Sequence, residues 1–548
     1  STTENMIQIS ELGMMRGERL FALDFVPVNY NPATKSLDIV VSTQVDIRFV
    51  NADHVSSATL KARTRSVVFE SALSSSIWNY PATRTTLLTY PIGYVIITPQ
   101  SFIPALQPFI DWKTREGYNV NVTTIESIGN STSSIKSFMQ NLWNSATPQN
   151  PAPSYLLIVG DVAQVAANSG STGSHPTDLN YVRLEGTDYM PEMYFGRFSA
   201  TTPAEVTNQV NKTLQHEQYS MPDDSYLQEA VLIAGMDSYY AQTHGNGQIN
   251  YATQNYFNAA HGINTHAYLY PNSGSNAANI RADVSAGAGY VNYTAHGGET
   301  NWSDPSFTIP HINALQNQNK YSFVVGNCCL TSKFDVGICF AEGWLRAENK
   351  GGVIYIGGTN STYWNEDYWW GVGAKGNATG NAPAYNANAL GVYDAVFHDN
   401  NEAFSDWAYS AGAMTVMGNL AVVQGNSTRI NYYWEIYSVM GDPSLMPYIG
   451  IPAQNSTQVP ETLFLGLSSL EITTDPYSYV ALSMNNVLHG SGLADADGNL
   501  TLEFTPFTEP GAADLVVTRS RRKPLVTTVS VIPNSGPYVT VGQIVLGD

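Results

Sequence analysis

Hydrophobic spacing divides the chain into three stretches. From residue 1 to about 86, apolar and polar side chains alternate, as in Leu20-Phe21-Ala22-Leu23-Asp24-Phe25-Val26 and Leu37-Asp38-Ile39-Val40-Val41. Asn29-Tyr30-Asn31-Pro32 supplies a turn between these runs, so this stretch reads as a small β-rich unit. From Tyr90 the pattern changes to short, continuous apolar runs bounded by glycine and separated by helical periodicity. Val95-Ile96-Ile97, Val120-Asn121-Val122, Leu156-Leu157-Ile158-Val159, Val231-Leu232-Ile233-Ala234 and Val353-Ile354-Tyr355-Ile356 suit strands covered on both faces, with an amphipathic helix over 102–115. Alternation returns from 452 to about 533, where Asn485-Asn486 and Asp497-Gly498-Asn499 separate short strands, as in a small immunoglobulin-type sandwich. The predicted order is a β-rich unit (1–86), a doubly wound, mostly parallel α/β domain (87–451, in subdomains of about 87–221 and 222–451), a sandwich (452–533) and a linker stub (534–548).

Composition narrows the partners. At 548 residues the chain exceeds one hydrophobic core. A net charge of −20 argues against nucleic acid, and no apolar run is long enough to span a bilayer. Three cysteines exclude a disulfide-stapled scaffold. The chain opens without Met or a charged-then-apolar leader, which reads as a processed protein.

Two of the buried-looking strands end in reactive side chains. Tyr290-Val291-Asn292-Tyr293-Thr294-Ala295 runs into His296-Gly297, and Tyr321-Ser322-Phe323-Val324-Val325-Gly326 runs into Asn327-Cys328-Cys329. Side chains at the carboxyl ends of neighbouring parallel strands share one crevice. A thiol and an imidazole there are the parts of a cysteine nucleophile and its base. Asp237, just past the 231–234 strand, is placed to orient the imidazole, and the N–H groups of Gly297 and Cys329 are candidate oxyanion donors. A buried structural cysteine and an ordinary histidine remain the plain alternative. By position Cys328 competes with Cys329, although alternation turns it to the other side; Cys339 falls in a helix expected over 334–348, where packing explains it.

The segments Tyr293-Thr294-Ala295-His296-Gly297, Gly326-Asn327-Cys328-Cys329-Leu330-Thr331, Asp188-Tyr189-Met190-Pro191-Glu192 and Tyr363-Trp364-Asn365-Glu366-Asp367-Tyr368 resemble, in order and spacing, those of the gingipain family, its lysine-specific members above all. The resemblance extends over roughly residues 5–533. It implies a caspase-like α/β cysteine endopeptidase, secreted or held at a bacterial cell surface, with a β-rich propeptide before the catalytic domain and an immunoglobulin-like domain after it. It implies Cys329 as nucleophile, His296 as base, Asp237 as third member, and no cofactor for catalysis. It also implies a lysine pocket with Asp367 as acidic floor, Thr294 and Trp364 as walls, and Ser361 where the lysine-specific members carry Asn; plain core packing is the other reading of Trp364. Arg acceptance stays open.

Structural calcium is implied too, on Asp161, Asp188, the Met190 carbonyl and Glu192, and on the Phe334 carbonyl with Glu342. Gly186 stands where one acidic ligand belongs, with Glu185 beside it. Asp495-Ala496-Asp497-Gly498 imitates the start of a calcium loop, but Pro506 occupies the position of the closing Glu, so a turn is the better reading. The expected partners are protein and peptide substrates with Lys before the scissile bond, and the chain's own propeptide. Lys61, Arg63 or Arg65 would plug the acidic pocket or form a solvated linker, with processing after Arg84. A secretion-system sortase that passes the acyl group to an amine, and an adhesin-type binding module, are the alternative functions.

Overall fold

The computed structural model describes residues 6–74, 77–80 and 91–534. Its centre is a ten-stranded sheet. In chain order the strands are β1 (Ile92–Thr98), β2 (Tyr118–Thr124), β3 (Tyr155–Val159), β4 (Tyr194–Phe198), β5 (Glu229–Ala234), β6 (Asn264–Tyr268), β7 (Tyr290–Thr294), β8 (Ser322–Asn327), β9 (Gly352–Gly358) and β10 (Tyr437–Met440). Their spatial order is β6-β5-β7-β8-β9-β10-β4-β3-β1-β2. All neighbouring pairs are parallel except β9 and β10.

The sheet is therefore two parallel halves of opposite direction, joined where β10 returns. Four of the five expected runs lie on inner strands, and β3, β8 and β9 are buried at every residue, as a sheet covered on both faces requires; Val120-Asn121-Val122 instead falls on the edge strand β2, none of whose residues is fully buried. β10 is only four residues long and directly follows a helix, so hydrophobic pattern does not announce it. Because β10 runs against β9, its first residue, Tyr437, lies opposite Gly358 at the end of β9.

The first stretch is less β-rich than expected. It holds the hairpin Ile7–Met15/Glu18–Phe25, a short pair Val28–Asn31/Ser36–Ile39, and a helix His54–Thr64 whose N-terminus is capped by the Asp53 carboxylate. The first hairpin turns through Arg16 and Gly17, both with positive φ. Arg16 is 2 % exposed, and its guanidinium is spent on the carbonyls of Glu192, Pro153 and Ala152. Its backbone N–H donates to Glu192 Oε2 at 2.6 Å, and that of Met14 to Asp188 Oδ2 at 2.9 Å. The N-terminal hairpin thus meets the α/β domain over a buried arginine whose two Nη groups are matched while its Nε is not.

The last stretch is the expected sandwich, with sheets of five and two strands. Asn485 and Asn486 both take positive φ in the two-residue turn between Tyr479–Met484 and Val487–Leu493. It leans on the α/β domain through Tyr479, whose hydroxyl donates to the Gly117 carbonyl at 2.8 Å.

Candidate active site

β5, β7, β8 and β9 all deliver their carboxyl ends to one edge of the sheet. Just beyond them stand Asp237, His296, Cys329 and the segment 359–363, the first three in the chain order and positions expected from sequence. The ends of β7 and β8 approach closely at Gly297: a Cβ there would lie 2.6 Å from the Cys329 carbonyl oxygen and 2.8 Å from Cys328 Sγ. Only glycine fits. Gly297 faces Trp302 in a small hairpin, next to the pair joined by Ser303 N–H donating to the His296 carbonyl. This register alternates, so the Gly297 N–H points out of the hairpin.

His296 Nε2 lies 2.8 Å from Asp237 Oδ2. Burial pushes the Asp237 carboxyl up, but N–H donation from Tyr240, the His296 ring and Tyr239 outweighs it and holds the group below its ordinary value. Cys329 is half-buried; its sulfur accepts the Thr362 N–H at 3.3 Å. Burial holds its thiol above the ordinary value while that N–H pulls the other way. Cys328, fully buried 3.6 Å from Thr331 Oγ1, belongs to the apolar core, which confirms the opposite-side reading of the two thiols. Cys339 is buried as expected, but it precedes its helix, which spans only Phe340–Arg346.

A cleft of about 300 Å³ opens between these groups, lined by His296, Cys329, Thr362, Trp364, Asp367 and Arg429 among others. Trp364 stands edge-on to the His296 ring with centroids 5.9 Å apart, so it is a cleft wall rather than core filling. Asp367 is 4 % exposed and accepts hydroxyl donation from Thr362 at 2.6 Å, Tyr437 at 2.7 Å and Tyr433 at 3.0 Å. Burial nevertheless pushes its carboxyl up to about 7. Thr294 is 1 % exposed at the end of β7 and does not reach the cleft surface, whereas Ser361 is half-buried beside the thiol, its side chain hydrogen-bonding Cys329 and its carbonyl accepting from Tyr432.

Sequence reasoning passed over Thr362, Tyr433, Tyr437 and Arg429. Tyr433 lies in the last turn of the Ile430–Ile436 helix and Tyr437 opens β10 directly after it, so two hydroxyls four residues apart reach one carboxylate. That spacing was the available signal. Nothing in the sequence shows that this turn faces the end of β9.

The implied calcium ligands are differently engaged. Asp161 accepts from Arg346 at 2.9 Å, and Glu342 accepts from the same guanidinium at 2.7 Å and from the Ser199 hydroxyl at 2.5 Å. Arg346 supplies the positive charge a cation would bring. Phe334 is buried with its ring against the Arg197 guanidinium. Asp188 and Glu192 face the N-terminal hairpin instead, and Asp188 Oδ1 takes the Met190 N–H at 2.8 Å. Among the described residues no three His, Cys, Asp or Glu side chains form a cage for a metal. Lys61 pairs with Glu18 at 2.6 Å and Arg63 donates to the Trp143 carbonyl, away from the cleft; neither these nor Arg65 line it. They sit on or just after the His54–Thr64 helix rather than in a linker or a plug. Arg84 lies outside the described residues.

The family model described as peptidase family C25 matches residues 88–448. Lys-gingipain HG66 of Porphyromonas gingivalis is 37 % identical over 552 residues, spanning 99 % of this chain and 31 % of its own length. Gingipain R1 of the same organism is 23 % identical over 547 residues, spanning 97 % of this chain and 52 % of its own. The chain thus spans about a third of the lysine-type relative. A solved structure described as a protease superposes with a TM-score of 0.75 at 36 % identity, covering 81 % of this chain and 98 % of that one. The Arg-specific cysteine proteinase gingipain R gives 0.68 at 22 % identity, covering 80 % and 98 %, which shows a common fold.

Proposed function

The chain belongs to peptidase family C25, and from that premise we propose that it is a cysteine endopeptidase cleaving peptide bonds after Lys. The observation that carries this reading is the single cleft shared by the Cys329 thiol, the His296–Asp237 pair and the buried Asp367 carboxylate. The similarity to Lys-gingipain over nearly the whole chain supports the lysine preference.

In the proposed reaction the substrate Lys enters the cleft with its ammonium on Asp367, a point charge that needs no forked partner. The Cys329 thiol passes its proton to His296 Nδ1, the nitrogen not facing Asp237, as sulfur attacks the carbonyl carbon. The N–H groups of Gly297 and Cys329 take the negative oxygen. Collapse breaks the C–N bond, and His296 returns the proton to the leaving amine, giving a thioester. Water, deprotonated by His296, then attacks the thioester, releasing the acid and restoring the thiol.

On the same reading, residues 1–86 are the C-terminal part of a propeptide, held by Arg16 and Met14 on Glu192 and Asp188. Residues 87–451 are the catalytic domain and 452–533 the immunoglobulin-like domain of a secreted or surface protein. No helix among the described residues is long and apolar enough to cross a membrane. The implied calcium stays outside the reaction. Kinetics on matched Lys and Arg peptide substrates test the proposal: cleavage after Lys that vanishes in Cys329→Ala supports it, and full activity in that variant overturns it.

A further inference from the structure

The segment that touches the nucleophile is itself held from the far half of the sheet. Asn360 fixes it at both ends. Its carbonyl accepts the Leu330 N–H at 3.0 Å, directly after Cys329, and its Oδ1 accepts the Ser361 N–H at 2.8 Å. With Oδ1 so engaged, Nδ2 must be the atom facing His175 Nδ1 at 3.2 Å. His175 Nδ1 is then an acceptor, and the ring proton sits on Nε2, 3.2 Å from Glu435 Oε2 at ion-pair distance rather than in an aligned hydrogen bond.

His175 is 2 % exposed on a loop that follows β3, in the half of the sheet that carries none of the cleft residues. Its loop closes over it so tightly that a Cβ at Gly170 would lie 2.2 Å from His175 Nε2. Glu435 ties the loop down, accepting from the Ser171 N–H at 2.8 Å, the Thr172 N–H at 3.0 Å and both hydroxyls. Tyr432 packs edge-on against the His175 ring and donates to the Ser361 carbonyl at 2.9 Å. At the end of this chain of contacts Thr362 reaches both working parts of the cleft, its N–H on Cys329 Sγ and its hydroxyl on Asp367.

We propose that His175 and Asn360 are positioning residues that hold the 360–362 segment so that the Thr362 N–H meets the sulfur of Cys329. A donor at the sulfur favours thiolate over thiol, so the nucleophile's readiness depends on a loop contributed by the other half of the sheet. The inference rests on the reading of Cys329 as nucleophile.

The test is the pH dependence of Cys329 alkylation by iodoacetamide, a small neutral reagent that needs no lysine pocket. A hydrogen bond to a charged group contributes about 1.5–3 kcal/mol, so its loss moves the alkylation midpoint up by about one unit or more. His175→Leu and Asn360→Ala are expected to show that shift, with kcat/KM about tenfold lower at neutral pH. His175→Asn, whose side-chain oxygen replaces Nδ1 as acceptor, is expected to restore the wild-type midpoint. Asn360 is half-buried, so Asn360→Ala carries the test if His175→Leu does not fold. Overlaid profiles for wild type and variants overturn the inference, as does a His175→Asn profile shifted as far as that of His175→Leu. A wild-type protein that is not alkylated at Cys329 overturns the nucleophile reading itself.

Discussion

The Nε2 of His296 lies 2.8 Å from Oδ2 of Asp237, and this one contact decides which imidazole nitrogen serves the thiol. Asp237 is held in place by the N–H groups of Tyr239 and Tyr240, at 2.8 and 2.7 Å, so the ring is oriented by a carboxylate that is itself oriented. Asp237→Asn keeps the shape but turns the acceptor into an ambiguous partner. We expect kcat to fall by roughly two to four orders of magnitude with little change in KM. Steady-state kinetics check this, and a loss below tenfold would remove Asp237 from the catalytic set.

Adjacent thiols with opposite surroundings give a second test. Cys328 is fully buried against Thr331, whereas Cys329 faces the cleft. Cys328→Ala is expected to lose about 1–2 kcal/mol of stability by opening a small void while keeping activity within about twofold. Urea unfolding and peptide kinetics measure both; an inactive but folded Cys328→Ala would exchange the roles of the two thiols.

Asp367 carries the pH signature. Burial raises its carboxyl to about 7, so in the free enzyme it is neutral below that pH and charged above it. A lysine substrate needs the charged form. Below about pH 7, kcat/KM for a Lys substrate is therefore expected to fall by an additional factor approaching tenfold per pH unit. A substrate with an uncharged side chain in place of Lys, which shares every other titrating group, should lack that factor. In Asp367→Asn the two profiles should coincide, with Lys cleavage down roughly a hundredfold or more. Lys selectivity that survives this substitution would mean the pocket is drawn wrongly.

Arg16 anchors the N-terminal hairpin. Removing it leaves Glu192, fully buried, without the N-terminal segment's guanidinium beside it. Arg16→Ala is expected to weaken attachment of the hairpin by about 3 kcal/mol or more, which is about a hundredfold loss of amide protection over residues 7–25. Hydrogen exchange followed by mass spectrometry reads it directly. Unchanged protection would show that the hairpin is held by its apolar contacts alone.

The thiol, the imidazole and Asp237 were legible because each follows a continuous apolar run, and strand ends in a parallel sheet converge by topology. The lysine pocket was legible in part. Trp364 and Asp367 belong to a recognisable segment and do line the cleft, and Ser361 sits against the thiol, but Thr294 belongs to the same kind of segment and is buried. Whether a residue beside a strand end faces the cleft or the interior turns on a single step of alternation, and local pattern leaves that step undecided at irregular ends. The calcium sets are a different case. Their carboxylates are present, but Arg346 and the N-terminal hairpin, remote in sequence, had already taken them.

Sequence by itself determined which strand ends carry the thiol, the imidazole and Asp237, because these depend on periodicity within a dozen residues. Tertiary structure alone decided what surrounds the Asp367 carboxylate and the Cys329 sulfur. Tyr437 reaches Asp367 only because β10 runs against β9, and His175 reaches Asn360 only because the two halves of the sheet join there. The two contacts span 70 and 185 residues, and no local hydrophobic period encodes a pairing made at that distance.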